Sequence, residues 1–137
     1  MNAGLASISL TSVLYFLTSA AFADNTTAST PPSLVGNYKC QWTGASLENK
    51  NLSLTISKTG DTYNSEWADD AGNPVLYGTG LMNPNINDFI TSSFWSPTNN
   101  TLIGVLSLTI RADGSLQGNW ISQSGKETGS ETCTKSS

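Results

Sequence analysis

Histidine is absent from this 137-residue chain, which removes the side chain that most often serves as general base near neutral pH. Without it the two cysteines, Cys40 and Cys133, fall short of the ligands an ordinary zinc site needs. Positive charge is also scarce: six Lys and Arg stand against ten Asp and Glu, for a net charge of -4. Phosphate backbones and anionic lipid surfaces are held by clustered cations, so neither a nucleic-acid partner nor a membrane surface is expected. No nucleophile elbow and no phosphate-binding loop occurs. The chain therefore reads as no enzyme, with no metal and no cofactor. Paired carboxylates of the kind that cleave glycosides are the one catalytic arrangement left open.

A long apolar run occurs once. Leu5 to Ala23 reads LASISLTSVLYFLTSAAFA and ends in the small-x-small triplet Ala21-Phe22-Ala23. The pattern predicts a secretory signal peptide over residues 1–23, although Met1 to Gly4 lacks the usual Lys or Arg. The rival reading is a membrane anchor, since the run is nearly long enough to span a bilayer. The cleavage triplet and the polar stretch behind it favour removal, and no cysteine follows the cleavage point to carry a lipid. Residues 24–33, DNTTASTPPS, show no apolar periodicity and read as a flexible leader. A single domain over residues 34–137, secreted or periplasmic, is the expectation. In such a compartment an even cysteine count favours a Cys40–Cys133 disulfide. That bond requires the first and last strands to be neighbours.

What is present is alternation. Ser107 to Trp120, SLTIRADGSLQGNW, echoes Ser53 to Trp67, SLTISKTGDTYNSEW, with one residue fewer. In the later copy Leu106, Leu108 and Ile110 share a face with Leu116, Gly118 and Trp120. Setting Ile110 opposite Leu116 leaves Ala112-Asp113-Gly114 as a three-residue loop, with Gly114 at its left-handed position. In the earlier copy the same parity sets Leu52 opposite Trp67, with Thr59-Gly60 as a two-residue turn and Lys58 facing Asp61. Further strands are expected over Val35–Trp42, Val75–Met82, Phe89–Trp95 and Lys126–Thr134, separated by breakers such as Asn83-Pro84-Asn85 and Ser96-Pro97. Asp69-Asp70 reads as part of another turn. About eight short strands with no helical pattern predict an all-β fold: one up-and-down antiparallel barrel closed by the disulfide, with a β-sandwich as the alternative.

Gly36-Asn37-Tyr38, opening the first strand, resembles the G-x-W or G-x-Y start of the avidin and lipocalin barrels, the calycin group. The tail Gly129-Ser130-Glu131-Thr132-Cys133-Thr134-Lys135 is similar to the G-x-D-T-x-T-K ending of bacterial avidins, and Phe94-Trp95 before a Ser-, Thr- and Asn-rich turn and Gly104 is similar to their middle. The resemblance implies a barrel with a ligand inside it. Glu131 would then stand where an aspartate accepts the ligand's ring N–H. The chain also resembles short secreted bacterial proteins with a G-x-Y-x-C, G-x-W and E-T framework, some labelled fibronectin-binding.

The candidate site follows from parity. Tyr38, Cys40 and Trp42 share one face of the first strand, as Gly129, Glu131 and Cys133 do of the last. If the disulfide faces inward so does Glu131, which then needs indole or phenol donors or a ligand; if the disulfide is peripheral, Glu131 is solvated. Trp42, Trp67, Trp95 and Trp120, with Tyr38, Tyr63 and Tyr77, either line a cavity or fill the interior. Two functions remain. One is a carrier of a small, partly apolar molecule held among the tryptophans in an aromatic-lined interior, with Glu131 as its polar anchor. The other is a rigid scaffold whose loops bind a protein partner through exposed aromatics such as Trp95.

Overall fold

The computed structural model describes residues 32–44 and 49–137. The signal peptide expected over 1–23 and most of the leader expected over 24–33 lie outside the described residues. Eight strands follow in order: β1 (Gly36–Gly44), β2 (Lys50–Thr59), β3 (Thr62–Ala68), β4 (Pro74–Met82), β5 (Phe89–Trp95), β6 (Ile103–Ile110), β7 (Leu116–Ser122) and β8 (Thr128–Lys135). Each pairs antiparallel with the next, and β8 returns to β1 to close the barrel. A sandwich is thereby excluded. Cys40 and Cys133 are cross-strand partners on β1 and β8 and form the disulfide.

Alternation explains why these segments are strands. On β2, Leu52, Leu54 and Ile56 are buried while their neighbours face outward, and on β6 the buried set is Gly104, Leu106, Leu108 and Ile110. The outward positions of β1, β2 and β8 are instead Asn, Gln, Lys, Ser and Thr. On those three strands an apolar interior lies beneath a polar exterior. Among the described residues no helix is long and apolar enough to cross a membrane.

Both echoing hairpins exist, with one difference from expectation. In β6–β7, Ile110 faces Leu116, Leu106 faces Trp120, and Gly114 takes φ 80° in the three-residue loop. In β2–β3 the register is moved by two residues: Thr59 faces Thr62, the turn is Gly60-Asp61, and Trp67 faces Leu54 rather than Leu52. A slip of two preserves every inward and outward assignment, so the hydrophobic pattern alone does not choose between the registers. Turn geometry does, because Gly60 now occupies the first central position with φ 59°, which a hairpin turn of matching twist demands. Lys58 accordingly lies over the ring of Tyr63, 5.2 Å from its centre, and does not pair across the strands with Asp61.

The two ends of the barrel differ. At the end where β1 begins, Leu34 tucks into the core and its carbonyl accepts a hydrogen bond from the Tyr38 hydroxyl at 2.7 Å. Lys135 Nζ reaches across to the Ser33 carbonyl at 2.6 Å and lies over the Tyr38 ring. This closes the lower end. Among the described residues nothing comparable closes the opposite end, the mouth, which carries the loops after β3, β5 and β7.

The disulfide spans 93 residues, and closing a loop of that length removes about 4–5 kcal/mol worth of unfolded-chain freedom. The Cys40→Ala/Cys133→Ala double variant is expected to unfold at much lower urea concentration, with a larger m-value because the unfolded chain without the cross-link exposes more surface. A loss under about 1 kcal/mol in that titration would contradict the role of the bond as the barrel's covalent closure.

Candidate functional site

Four aromatic rings fill the upper half of the lumen. Trp42 of β1 is at their centre. It meets Trp67 of β3 edge-on at 5.7 Å, Phe94 of β5 edge-on at 5.4 Å, and stacks on Trp120 of β7 at 5.5 Å. Phe94 and Trp120 close the set at 6.0 Å. All four come from alternate strands, which is how inward side chains of a barrel share one layer. None is more than 2% exposed. Of the two options open from sequence, a lined cavity or a filled interior, the rings take the second.

Glycine makes that filling possible. A Cβ on Gly104 would stand 2.6 Å from the Phe94 ring, and one on Gly129 2.6 Å from the Trp120 ring. At both positions the barrel wall comes close to an aromatic face that any side chain would displace.

Glu131 sits inside this layer, fully buried. Its Oε1 accepts hydrogen bonds from the indole Nε1 of Trp42 and of Trp67, each at 2.6 Å. Trp42 is its cross-strand neighbour, whereas Trp67 reaches it across the lumen from β3. The peripheral-disulfide reading of Glu131 is thus set aside: the residue faces inward, and its donors are the protein's own indoles. The other oxygen, Oε2, is buried with no hydrogen-bond partner among the described residues. Burial pushes the carboxyl up to about 7, against the opposing pull of the Trp67 and Trp42 hydrogen bonds. Cys133 Sγ lies 3.3 Å from Oε1. Cys40, Cys133 and Glu131 form a tight group, yet it is no metal-ligand set, because both sulfurs are committed to the disulfide.

The remaining sequence candidates distribute differently. Tyr38 faces inward but belongs to the lower layer, where it holds Leu34, and burial raises its hydroxyl pKa. Trp95 does not join the cluster: it is 39% exposed on the outer wall and packs beside Tyr77, another outward residue. Adjacent strand residues point to opposite faces, so of Phe94 and Trp95 only one can enter. Phe94 does, because Gly104 opposite leaves the space while Trp95 faces Ile103. Phe94 is the member that sequence reading passed over, and the glycine opposite was its signal. Tyr63 is only partly buried, at the lower rim. Asp69 is a turn former as expected: its carboxylate accepts from the Ala71 and Asn73 amides, and hydrogen bonds led by Asn73 hold it below the usual carboxylate range.

Above the aromatic layer the mouth holds a cleft of about 280 Å³. Leu52 and Leu76, both inward and buried, form its apolar floor, and Leu102 with Ser96 and Asn99 forms one rim. That rim is held by its own turn: Ser96 Oγ accepts from the Asn99 amide at 3.2 Å, Asn99 Oδ1 accepts from Thr101 at 3.0 Å, and the Leu102 amide bonds the Asn99 carbonyl. Lys50 and Glu127 flank the opening. Leu52 and Leu76 read as ordinary core residues in sequence, and nothing in the pattern marks them as the base of a cleft.

No protein-family model matches the chain, and no curated protein matches it. Solved structures do. A redesigned β-barrel aligns with a TM-score of 0.60 at 12% identity, over 76% of this chain and 92% of its own. The redesigned β-barrel mFAP1, bound to DFHBI, aligns with a TM-score of 0.57 at 13% identity, over 74% of this chain and 94% of its own. At such identity the likeness shows the barrel fold. It shows neither the avidin and calycin group nor the fibronectin-binding proteins.

The buried carboxyl makes a pH prediction. In the unfolded chain Glu131 releases its proton near its ordinary value of 4.5, while in the fold it does so only at about 7. Folding therefore becomes costlier as pH rises from about 4.5 to about 7, by about 3 kcal/mol in all, and no further above that. Glu131→Gln is expected to flatten this part of the stability profile, measured by urea unfolding followed through tryptophan emission. An unchanged slope in the variant would show that the carboxyl titrates elsewhere.

Proposed function

We propose that this chain is an exported, non-catalytic binding barrel that takes a small, partly apolar molecule at its mouth. The observation that carries the reading is the cleft floored by Leu52 and Leu76, at the one end of the barrel that Leu34 and Tyr38 do not close. An apolar floor with hydroxyl and amide groups at the rim is how ligand clefts combine affinity with orientation. The aromatic layer beneath is the rigid base of the site, with Trp42 and Trp67 fixed by Glu131. In this reading Glu131 does not touch the ligand, and it holds the base in place. The mFAP1 barrel, of the same fold, is bound to DFHBI, which supports the capacity of such a barrel to hold a small molecule. Export is supported by the disulfide. A second reading, a scaffold that captures a protein partner, draws on Trp95, which stands exposed on the outer wall.

The test uses anilinonaphthalene sulfonate as an apolar probe. The wild-type protein is expected to bind one equivalent with a rise in probe emission. Leu102→Lys, a rim substitution that leaves the backbone bonds of the turn intact, is expected to weaken binding at least about tenfold. Equal binding by the variant, or none by the wild type, would overturn the mouth as the ligand site.

A further inference from the structure

The outer wall of the barrel is chemically uneven. Strands β4 to β7 contain no charged residue. On the other strands Lys39 and Glu66 face outward, and apart from the buried Glu131 the remaining charges of the described residues stand at the barrel's ends. Across the charge-free wall runs an apolar stripe: Tyr77 faces Trp95, Trp95 faces Ile103, and two residues further along the outward face of β6 Val105 faces Ile121. One end of the stripe is aromatic, with the Tyr77 and Trp95 rings 6.3 Å apart. The other is an apolar groove of about 420 Å³ between Ile103, Val105 and Ile121. Trp95 is 39% exposed and Val105 49%.

We propose that two copies of this chain meet through the β4–β7 wall as a two-fold dimer, Trp95 of each copy seated in the Ile103–Val105–Ile121 groove of the other. A projecting tryptophan and an apolar groove on one surface make that surface complementary to itself. A two-fold axis between β5 and β6 forms both contacts at once, and such isologous pairing closes without leaving a free patch. Tryptophan in an apolar groove is also the side chain that most often dominates an interface.

Charge argues for the second copy over a foreign protein. Each chain carries a net charge of -4, so two copies repel, and contact through a wall without charges keeps the carboxylates at the rim. A foreign partner finds on this wall no charge to fix its register, whereas a second copy brings both the matching tryptophan and the matching groove. The wall is modest in size. Four strands at about 4.8 Å spacing and about seven residues long cover about 440 Å², but they curve round half of a closed barrel, so the contact stays below about 900 Å² for both copies, among weak and transient interfaces. The dimer is therefore reversible.

Sedimentation equilibrium of the purified protein, from about 1 µM to about 500 µM, is expected to show the mass rising from one copy toward two. Val105→Asp and Trp95→Asp are each expected to weaken association at least about tenfold, and Gln41→Ala on the opposite wall to leave it unchanged. Near-ultraviolet dichroism reports whether each variant is folded. Trp95→Ala, which removes the projecting ring without adding charge, decides the question if a charged variant fails to fold. A wild-type protein monomeric across the range, a dimer indifferent to the Trp95 and Val105 changes, or one equally sensitive to Gln41→Ala would overturn the proposal.

Discussion

One carboxylate oxygen organises the interior. Glu131 Oε1 takes the indole protons of Trp42 and Trp67 at once, and so ties β8 to its neighbour β1 and, across the lumen, to β3. A buried indole N–H left without an acceptor would itself be costly, so the acid and the two tryptophans depend on one another. Trp120 is satisfied separately, by the Thr43 carbonyl at 3.2 Å. Around this point the rings of Trp42, Phe94 and Trp120 interlock, and the inward glycines supply the room they need. The barrel is thus filled by a few large planar side chains seated against bare backbone, with an ionisable group at their hub.

Much of the fold was legible before any coordinates. The eight strands fall within a residue or two of the alternating segments, and the β6–β7 loop was settled by Gly114 together with the parity of Ile110 and Leu116. Cys40 and Cys133, at opposite ends of the domain, required first and last strands to be neighbours, which an up-and-down meander provides only by closing on itself. The β2–β3 register was not legible from hydrophobicity, because sliding Trp67 from Leu52 to Leu54 changes no burial. Only the handedness of the turn at Gly60 separates the two.

The site was legible in part, for similar reasons. Parity placed Trp42, Trp67, Trp120 and Glu131 on inward faces once the disulfide was taken as inward. It did not say that Trp67 reaches Glu131 across the lumen, since β3 and β8 are separated by four other strands in sequence and no local pattern links them. Trp95 is the rarer and larger residue of the Phe94-Trp95 pair, yet Phe94 enters the lumen, and the deciding information lies in Gly104 on the next strand. The mouth cleft depends on how loops sit above Leu52 and Leu76, and that placement is three-dimensional from the outset.

The position of the closing partners also governs how the chain can acquire its shape. Both groups that complete the lumen, Glu131 and Cys133, lie on the final strand, while Trp42 and Cys40, which receive them, lie on the first, 93 residues earlier for the cysteine pair. A chain delivered from its N-terminus presents Cys40 without its partner thiol and Trp42 without its Glu131 acceptor until β8 has emerged. Hairpins between neighbouring strands form locally, yet their inward faces stay open to water and to other chains throughout. Closure of the barrel consequently waits for β8, and the oxidation that joins Cys40 to Cys133 cannot precede that strand.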